Sequence, residues 1–337
     1  MNANFPPVAP TPPGQVRTRP LRGCPPAIPS ADPVRRQARP RRPAGSVGAI
    51  EAIELKSEAE SRERRGRLAS RFPFPSLPSG WFVVALSDEV KPGQVIARRY
   101  FDRDLAIYRT EAGVLRVVDA FCPHMGGHLG RIGHVEGESL RCGFHGFHFS
   151  TDGRCTDTPY EGPPPPRARL EAWPMKEMAG LVLVWFDAQG RAPQWEVPHL
   201  DTEGWSDLTW RRYSIATHPQ ETTENSVDFG HFTQVHDFDN GHIAREVEVD
   251  GPHLNTAYAV ERHMPYLGLR FMPRFVMKVI YDVQVWGLGY SQVNVQLSQF
   301  GAELRFFVLP VAKDDGHIDL VLAGSIKKRF GPIDNLA

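Results

Sequence analysis

Four residues in two glycine-rich stretches carry the clearest chemistry in this sequence. Cys122 and His124 lie in CPHMGGHLG (122–130), and Cys142 and His145 lie in CGFHGF (142–147). The pattern is C-x-H, seventeen residues, then C-x-x-H. Thiolates and imidazoles together suit a borderline or soft metal. Glycines at 126, 127, 130, 143 and 146 let two loops approach one site closely. Two Cys on one iron and two His on the other is the ligand set of one class of [2Fe–2S] cluster. Each loop supplies one Cys and one His, so both loops would clamp both irons. A structural zinc site is the rival chemistry, but such sites read C-x2–4-C then H-x3–5-H rather than alternating. His128 and His148 stand nearby and are expected to be ordinary loop or core histidines. Cys155 and Cys24 have no ligand-like spacing; the first reads as a packed thiol.

A second constellation lies in PQETTENSVDFGHFTQVH (219–236), which interrupts strand-like text and reads as one helix. Asp228 and His231 are three apart and would share a helix face, where the carboxylate can accept the imidazole's second N–H. His231 and His236 are five apart, about 140° around an ideal helix. They reach one metal only if the helix is distorted, and Gly230 is placed to permit that. Two His plus one carboxylate with open positions is the facial triad of Fe(II) oxygen activation. Taken alone, D-x-x-H-x-x-x-x-H is also what ordinary solvated helical residues look like.

The elements that must position these groups are mostly strands. From Gly80 to Asp187, short apolar runs (WFVVAL, LAIYRT, VLRVVDA, LVLVWF) alternate with Gly, Pro and Asp, the text of small antiparallel sheets. The four prolines within Glu161–Arg167 make an extended surface loop. Beyond Glu246 strands return, over Phe275–Trp286, Gln292–Ser298, Glu303–Val311 and His317–Ile326. Val293, Val295 and Leu297 alternate with polar neighbours, as in a half-buried strand. Upstream, residues 1–44 hold twelve prolines and eight arginines against one acid, Asp32, which is expected to be disordered. Arg-rich, acid-poor text also fits a transit peptide, although no amphipathic period accompanies it. Residues 50–71 read as a charged, exposed helix.

With both motifs stated, a resemblance can be given. Residues 80–187 resemble the Rieske domain of the Rieske non-haem iron oxygenases. Respiratory Rieske proteins typically carry an extra Cys in each loop, joined as a disulfide; here Gly127 and Gly143 or Phe144 hold those places, so no bridge can form. The joint pattern N-x-x-D-x-x-H-x-x-x-x-H downstream is similar to the ketosteroid-hydroxylase and cholesterol-desaturase branch, as is the entry text RFPFPSLPSGWFVVALSDEVKPGQ. The resemblance runs from about Phe72 to Phe330. It implies an α+β, mostly antiparallel architecture. A disordered extension (1–71) would precede a Rieske domain (72–187) and a helix-grip, START-like catalytic domain (188–337) with a long helix and an apolar pocket. It also implies an iron-binding carboxylate from a late helix. Asp237, Asp239, Asp282, Asp315, Asp319 and Asp334 follow His236, yet none sits in late-helix text. The third ligand is assigned to none of them, and the chain is expected to be part of a longer protein.

What the resemblance implies is the oxygenase component of a Rieske monooxygenase or desaturase. Cys122, His124, Cys142 and His145 would hold the cluster, and His231 and His236 a mononuclear Fe(II). Asp228 would bridge subunits of a head-to-tail homotrimer. A reductase or ferredoxin would donate electrons; the substrate would be small, apolar and possibly steroid-like, oxidised with O2. An electron-transfer Rieske protein, an inactive remnant or a non-catalytic apolar-ligand carrier are the alternatives. Lys+Arg and Asp+Glu balance at 39 each, which gives no field toward nucleic acid. No apolar run approaches the ~20 residues of a membrane span. Four cysteines are too few for a disulfide framework, so a cytoplasmic setting is expected.

Overall fold

The computed structural model describes residues 75–236, 238–264, 275–297 and 301–328. The expected disordered extension and charged helix (1–71) lie outside these residues, as do Asp237 and Asp334. The fold is mostly antiparallel β, as the sequence predicts.

Its centre is a strand pair apolar on both faces. β1 (Gly80–Leu86) and β10 (Leu181–Phe186) are buried at every position and pair antiparallel, Gly80 opposite Phe186. Together with β9 (Met175–Met178) they form a three-stranded sheet. Successive side chains of a strand point to opposite faces, so continuous apolar text means two buried faces. Phe82, Val84, Val182, Val184 and Phe186 enter one core with Leu105, Ile107 and Val117. Trp81, Val83, Leu181, Leu183 and Trp185 enter another with Tyr290, Phe307, Leu309 and Val321.

On the first side lie two small sheets. β2 (Val95–Tyr100), β3 (Arg103–Arg109) and β4 (Leu115–Asp119) form a meander. β5 (His134–Glu136), β6 (Ser139–Arg141), β7 (His148–Phe149) and β8 (Cys155–Asp157) form the other. Period-2 alternation in β3 and β4 sends Leu105, Ile107 and Val117 toward β1. It sends Ala106, Tyr108 and Val118 into a third core that holds Cys122 and Cys142.

On the second side is a seven-stranded sheet. Its strands are β11 (Thr209–Ile215), β12 (Asp239–Asp250), β13 (His253–Met264), β14 (Phe275–Trp286), β15 (Tyr290–Leu297), β16 (Ala302–Ala312) and β17 (Ile318–Ile326). The order is β11-β17-β16-β15-β14-β13-β12, so β11 and β12 are the edges. Two helices, α2 (Pro219–Asn225) and α3 (Gly230–His236), lie against this sheet, and Phe232 of α3 packs in a core with Tyr258, Val260, Val283 and Val295.

The single helix expected over Pro219–His236 is therefore two, separated by residues 226–229. The cause is local: Asp228 Oδ1 accepts the Gly230 N–H at 3.0 Å, which starts a new helix in the manner of an N-cap. Among the described residues no longer helix occupies this sheet, so the long helix of the helix-grip expectation is not among them. Nor is any described helix long and apolar enough to cross a membrane.

An ion cluster ties β2 to β11 across the central pair. Glu89 accepts from Arg98 at 2.7 Å, from both terminal nitrogens of Arg212 at 2.7 Å each, and from the Leu86 N–H at 2.8 Å. Burial pushes its carboxyl up, but the Arg212 and Leu86 hydrogen bonds and the Arg98 charge outweigh that and hold it below the ordinary 4.5. Because the folded-state value is depressed, the stabilisation is complete above the unfolded pKa and is lost as pH falls through the folded one. Glu89→Ala strands two half-buried guanidinium groups and should cost about 2–4 kcal/mol, measured by urea unfolding at pH 7. The wild-type advantage over Glu89→Gln should be full above pH 4.5 and shrink progressively below it.

Candidate metal centres

The two loops that carry the Cys and His residues have one hydrogen-bonding plan. Residues 122–127 follow β4 and lead into a short helix, α1 (Leu129–Ile132); residues 142–147 join β6 to β7. The Cys122 N–H donates to the Gly127 carbonyl at 2.9 Å, and the Cys142 N–H to the Phe147 carbonyl at 2.8 Å. The N–H four residues on, of Gly126 or Gly146, returns to the Cys carbonyl at 2.9 Å in both. That closure needs a left-handed residue, and Gly126 and Gly146 supply it at φ +71° and +68°. The loops differ in where the imidazole sits, two residues after Cys122 but three after Cys142.

This places thiols inside and imidazoles toward the surface. Cys122 and Cys142 are 3% and 2% exposed, whereas the His124 and His145 rings are partly exposed with centroids 4.7 Å apart. Phe147 stacks on His124 at 4.4 Å and Phe144 lies 4.0 Å from His145, so both rings are held in orientation. Burial pushes the Cys122 thiol up to about 11, while N–H groups of His124 and Met125 pull it back by hydrogen bonding to sulfur. Such a thiol ionises when a metal binds it.

The donor set fits a binuclear cluster. Among the described residues, no three of His, Cys, Asp and Glu converge as a single ion requires. The four donors instead form a Cys pair and a His pair. His124 Nδ1 is buried without a hydrogen-bond partner, as a ligand atom awaiting a metal would be. The loops press together hard: a Cβ on Gly143 would lie 2.1 Å from the Ile132 carbonyl, and one on Gly127 3.1 Å from Cys142 Sγ. That same Gly127 Cβ would be 3.2 Å from Phe144 Cβ, near the ~3.8 Å of a disulfide. Positions 127 and 144 are thus the facing pair, and neither is Cys. Cys122, Cys142 and Cys155 are all free thiols.

His128 and His148 stay apart from this group. His128 packs edge-on against Phe121, and His148 lies 3.8 Å from Glu136. Sequence reasoning missed the aromatic supports Phe147 and Tyr160, because nothing in a lone aromatic marks it as touching a ligand.

At the other centre, α3 brings His231 and His236 together, ring centroids 5.1 Å apart. His231 stacks on Phe232 at 4.6 Å, and Phe232 and Phe238 hold Tyr281 against them. The expected carboxylate–imidazole contact is not made. The backbone carbonyl of Asp228 meets His231 Nδ1, while its carboxylate caps Gly230 and stays exposed. The physical outcome is similar, since a carbonyl on Nδ1 fixes the tautomer that leaves Nε2 free for a metal. Both imidazoles line a cavity of about 1330 Å³ whose floor is Val283, Val293, Leu304, Phe306 and Leu322. Asp282 is adjacent to Tyr281 and so lies on the opposite sheet face, paired with Arg245. Asp319 accepts from Tyr100 at 3.1 Å in the domain interior. Neither joins the two histidines, and no third protein ligand is found among the described residues.

Comparison with known proteins agrees with this geometry. Residues 80–174 match the Rieske [2Fe-2S] domain model, and residues 184–328 match the 3-ketosteroid 9alpha-hydroxylase C-terminal domain model. Cholesterol 7-desaturase nvd 1 of Ciona intestinalis is 34% identical over 187 residues, covering 55% of this chain and 40% of that protein. A probable 3-ketosteroid-9-alpha-monooxygenase oxygenase component of Rhodococcus rhodochrous is 38% identical over 166 residues, covering 47% and 41%. The chain spans about two fifths of the length of these relatives. The crystal structure of dicamba monooxygenase bound to dicamba shares the fold, with a TM-score of 0.62 at 19% identity over 76% of this chain and 79% of that one. The chain thus pairs a domain that matches the Rieske [2Fe-2S] model with one that matches the C-terminal domain model of 3-ketosteroid 9alpha-hydroxylase.

Proposed function

We propose that this chain is the oxygenase component of a Rieske monooxygenase or desaturase that oxidises a C–H bond of an apolar, steroid-like substrate. The observation that carries the reading is the His231–His236 pair opening onto an apolar cavity, in the same chain as a Cys/His cluster domain. When bound, the cluster supplies single electrons and the mononuclear iron supplies O2 activation.

The chain's own residues do the rest. Cys122 and Cys142, as thiolates, and His124 and His145, as imidazoles, would hold the cluster. Backbone N–H groups of His124 and Met125 on the Cys122 sulfur temper its charge and so tune the cluster's potential. His231, its Nδ1 engaged, and His236 would bind the mononuclear iron. Phe232, Phe238 and Tyr281 hold those imidazoles in place, and the apolar floor orients substrate and excludes water.

Asp228 is exposed, and its Oδ2 accepts no hydrogen bond from a described residue. In a head-to-tail homotrimer it would accept a hydrogen bond from His145 of the partner subunit, joining the two centres. Phe121, Met125, Phe144 and Tyr160 are exposed around the imidazole end of the cluster, an apolar rim suited to a reductase or ferredoxin. The scarcity of cysteine suits a cytoplasmic setting.

Four measurements test this reading. The protein purified without oxygen should be red-brown and give a Rieske EPR signal when reduced, whereas stoichiometric zinc in a colourless protein refutes it. Gly143→Ala should abolish that colour, because the new methyl must displace the Ile132 carbonyl that abuts the loop. The double variant His231→Ala with His236→Ala should lose one iron per chain and leave the EPR signal unchanged; unchanged iron would remove the histidines from the site. Asp228→Asn should keep the cluster spectrum but slow substrate-coupled oxidation of the cluster by tenfold or more, and a normal single-turnover yield would refute its bridging role.

A further inference from the structure

The cavity's floor is apolar, but Arg211 stands in its wall without a counter-ion among the described residues. Arg211 lies on the edge strand β11, facing Leu322 across the ladder, and lines the cavity. Its neighbour Arg212 points to the opposite face and is held at both terminal nitrogens by Glu89. Arg211 makes no hydrogen bond or ion pair with any described residue. Of the other charged residues lining the cavity, Asp207 makes no ion pair with it. Lys328 adds a second positive charge.

The register also places Arg211 relative to the histidines. Tyr281, packed on Phe232 and Phe238, sits on β14. From β14 to β11 is four strand spacings, about 19 Å along the sheet. Val285, Ser291, Val308, Leu322 and Arg211 form one row across these strands, and Tyr281 lies four residues away on β14. The surface between the two ends is Val283, Val293, Phe306 and Gly324, with no charge among them.

We infer that Arg211 is a substrate-anchoring residue that receives a carboxylate at the far end of an elongated apolar substrate. This deepens the proposed oxygenase reading and rests on it for the identity of the reacting end. A guanidinium presents a planar fork of donors that matches a carboxylate bidentately. Exposed at the cavity's rim and unpaired among the described residues, it can receive a ligand that brings negative charge. The substrate class is then a fused-ring or similarly long lipid acid rather than a neutral sterol. Its acid end would lie at β11 and its oxidised carbon near His231 and His236.

The test compares lithocholic acid with its methyl ester, which share one skeleton and differ in charge. Equilibrium dialysis against the chain as it exists should show the acid bound at least tenfold more tightly than the ester. Arg211→Gln should bring the acid down to the ester and leave the ester unchanged, and Arg211→Lys should keep part of the preference. Circular dichroism controls for folding of each variant. Equal binding of acid and ester by the native chain, no acid binding at its solubility limit, or a preference that survives Arg211→Gln each overturns the inference. Iron content of the same preparations is read separately. Loss of the mononuclear iron with the acid preference intact would remove the oxygenase reading and leave the Arg211 anchor standing.

Discussion

The two-sided burial of the β1–β10 pair is the constraint on which the rest of the structure depends. Each strand places alternate side chains in two different cores, so neither the small sheets nor the large one can repack without the other. Trp81 and Trp185 lie edge to face at 5.8 Å on one side, and Phe101 and Phe186 stack at 4.3 Å on the other. Aromatic contacts of this kind add directional preference to plain area burial. The consequence reaches function: the loops that hold the cluster and the sheet that carries the cavity are referenced to the same two strands. Glu89 repeats this coupling in electrostatic form at the edge of the pair.

Within that frame the two candidate metal centres are built on different principles. The cluster loops are rigid because the backbone itself closes them, with paired hydrogen bonds and left-handed glycines that leave little freedom to the ligands. The histidines of α3 sit on a helix of only seven residues, preceded by a break. A helix that short gains little from its own hydrogen bonds and depends on tertiary packing. Here that packing is aromatic, with Phe229, Phe232 and Phe238 against Tyr258 and Tyr281. A Cys/His site closed by its own backbone thus accompanies a histidine pair whose geometry is set by its aromatic neighbours.

Much of this was legible in the sequence, and the limits have physical causes. The runs WFVVAL, LAIYRT, VLRVVDA and LVLVWF are strands, because apolar β-branched and aromatic text bounded by turn residues has few other solutions. The alternation over 292–297 reports a half-buried strand, as found. The edge strand β11 went unread: TWRRYSI carries two adjacent arginines, and edge strands hold polar residues that blur the period. The helix over Pro219–His236 was read as continuous because the 3.6-residue period survives a four-residue break. The stop lies in Asp228, whose side chain caps the next helix rather than contacting His231. A side chain's choice between backbone and imidazole is a difference of about 1 kcal/mol, below what spacing resolves. The cluster motif was readable because covalent metal chemistry demands residue types that packing alone never requires.

The same contrast explains why the cavity's chemistry escapes the sequence. Its floor is assembled from every second residue of strands far apart in the chain: Val283, Val293, Phe306 and Leu322 are neighbours only through the ladder register. Each is an ordinary core residue by type, and only the fold reveals that their shared face opens onto a cavity rather than onto another sheet. Arg211 and Arg212 make the point most sharply. Adjacent and chemically identical, they are sent to opposite faces by the pleat, one into the ion cluster with Glu89 and the other toward the cavity without a partner among the described residues. Function at that wall is therefore a property of strand parity. A shift of β11 by one residue against β17 would exchange the two roles, so the interdomain ion cluster that fixes Arg212 also fixes which guanidinium the cavity receives.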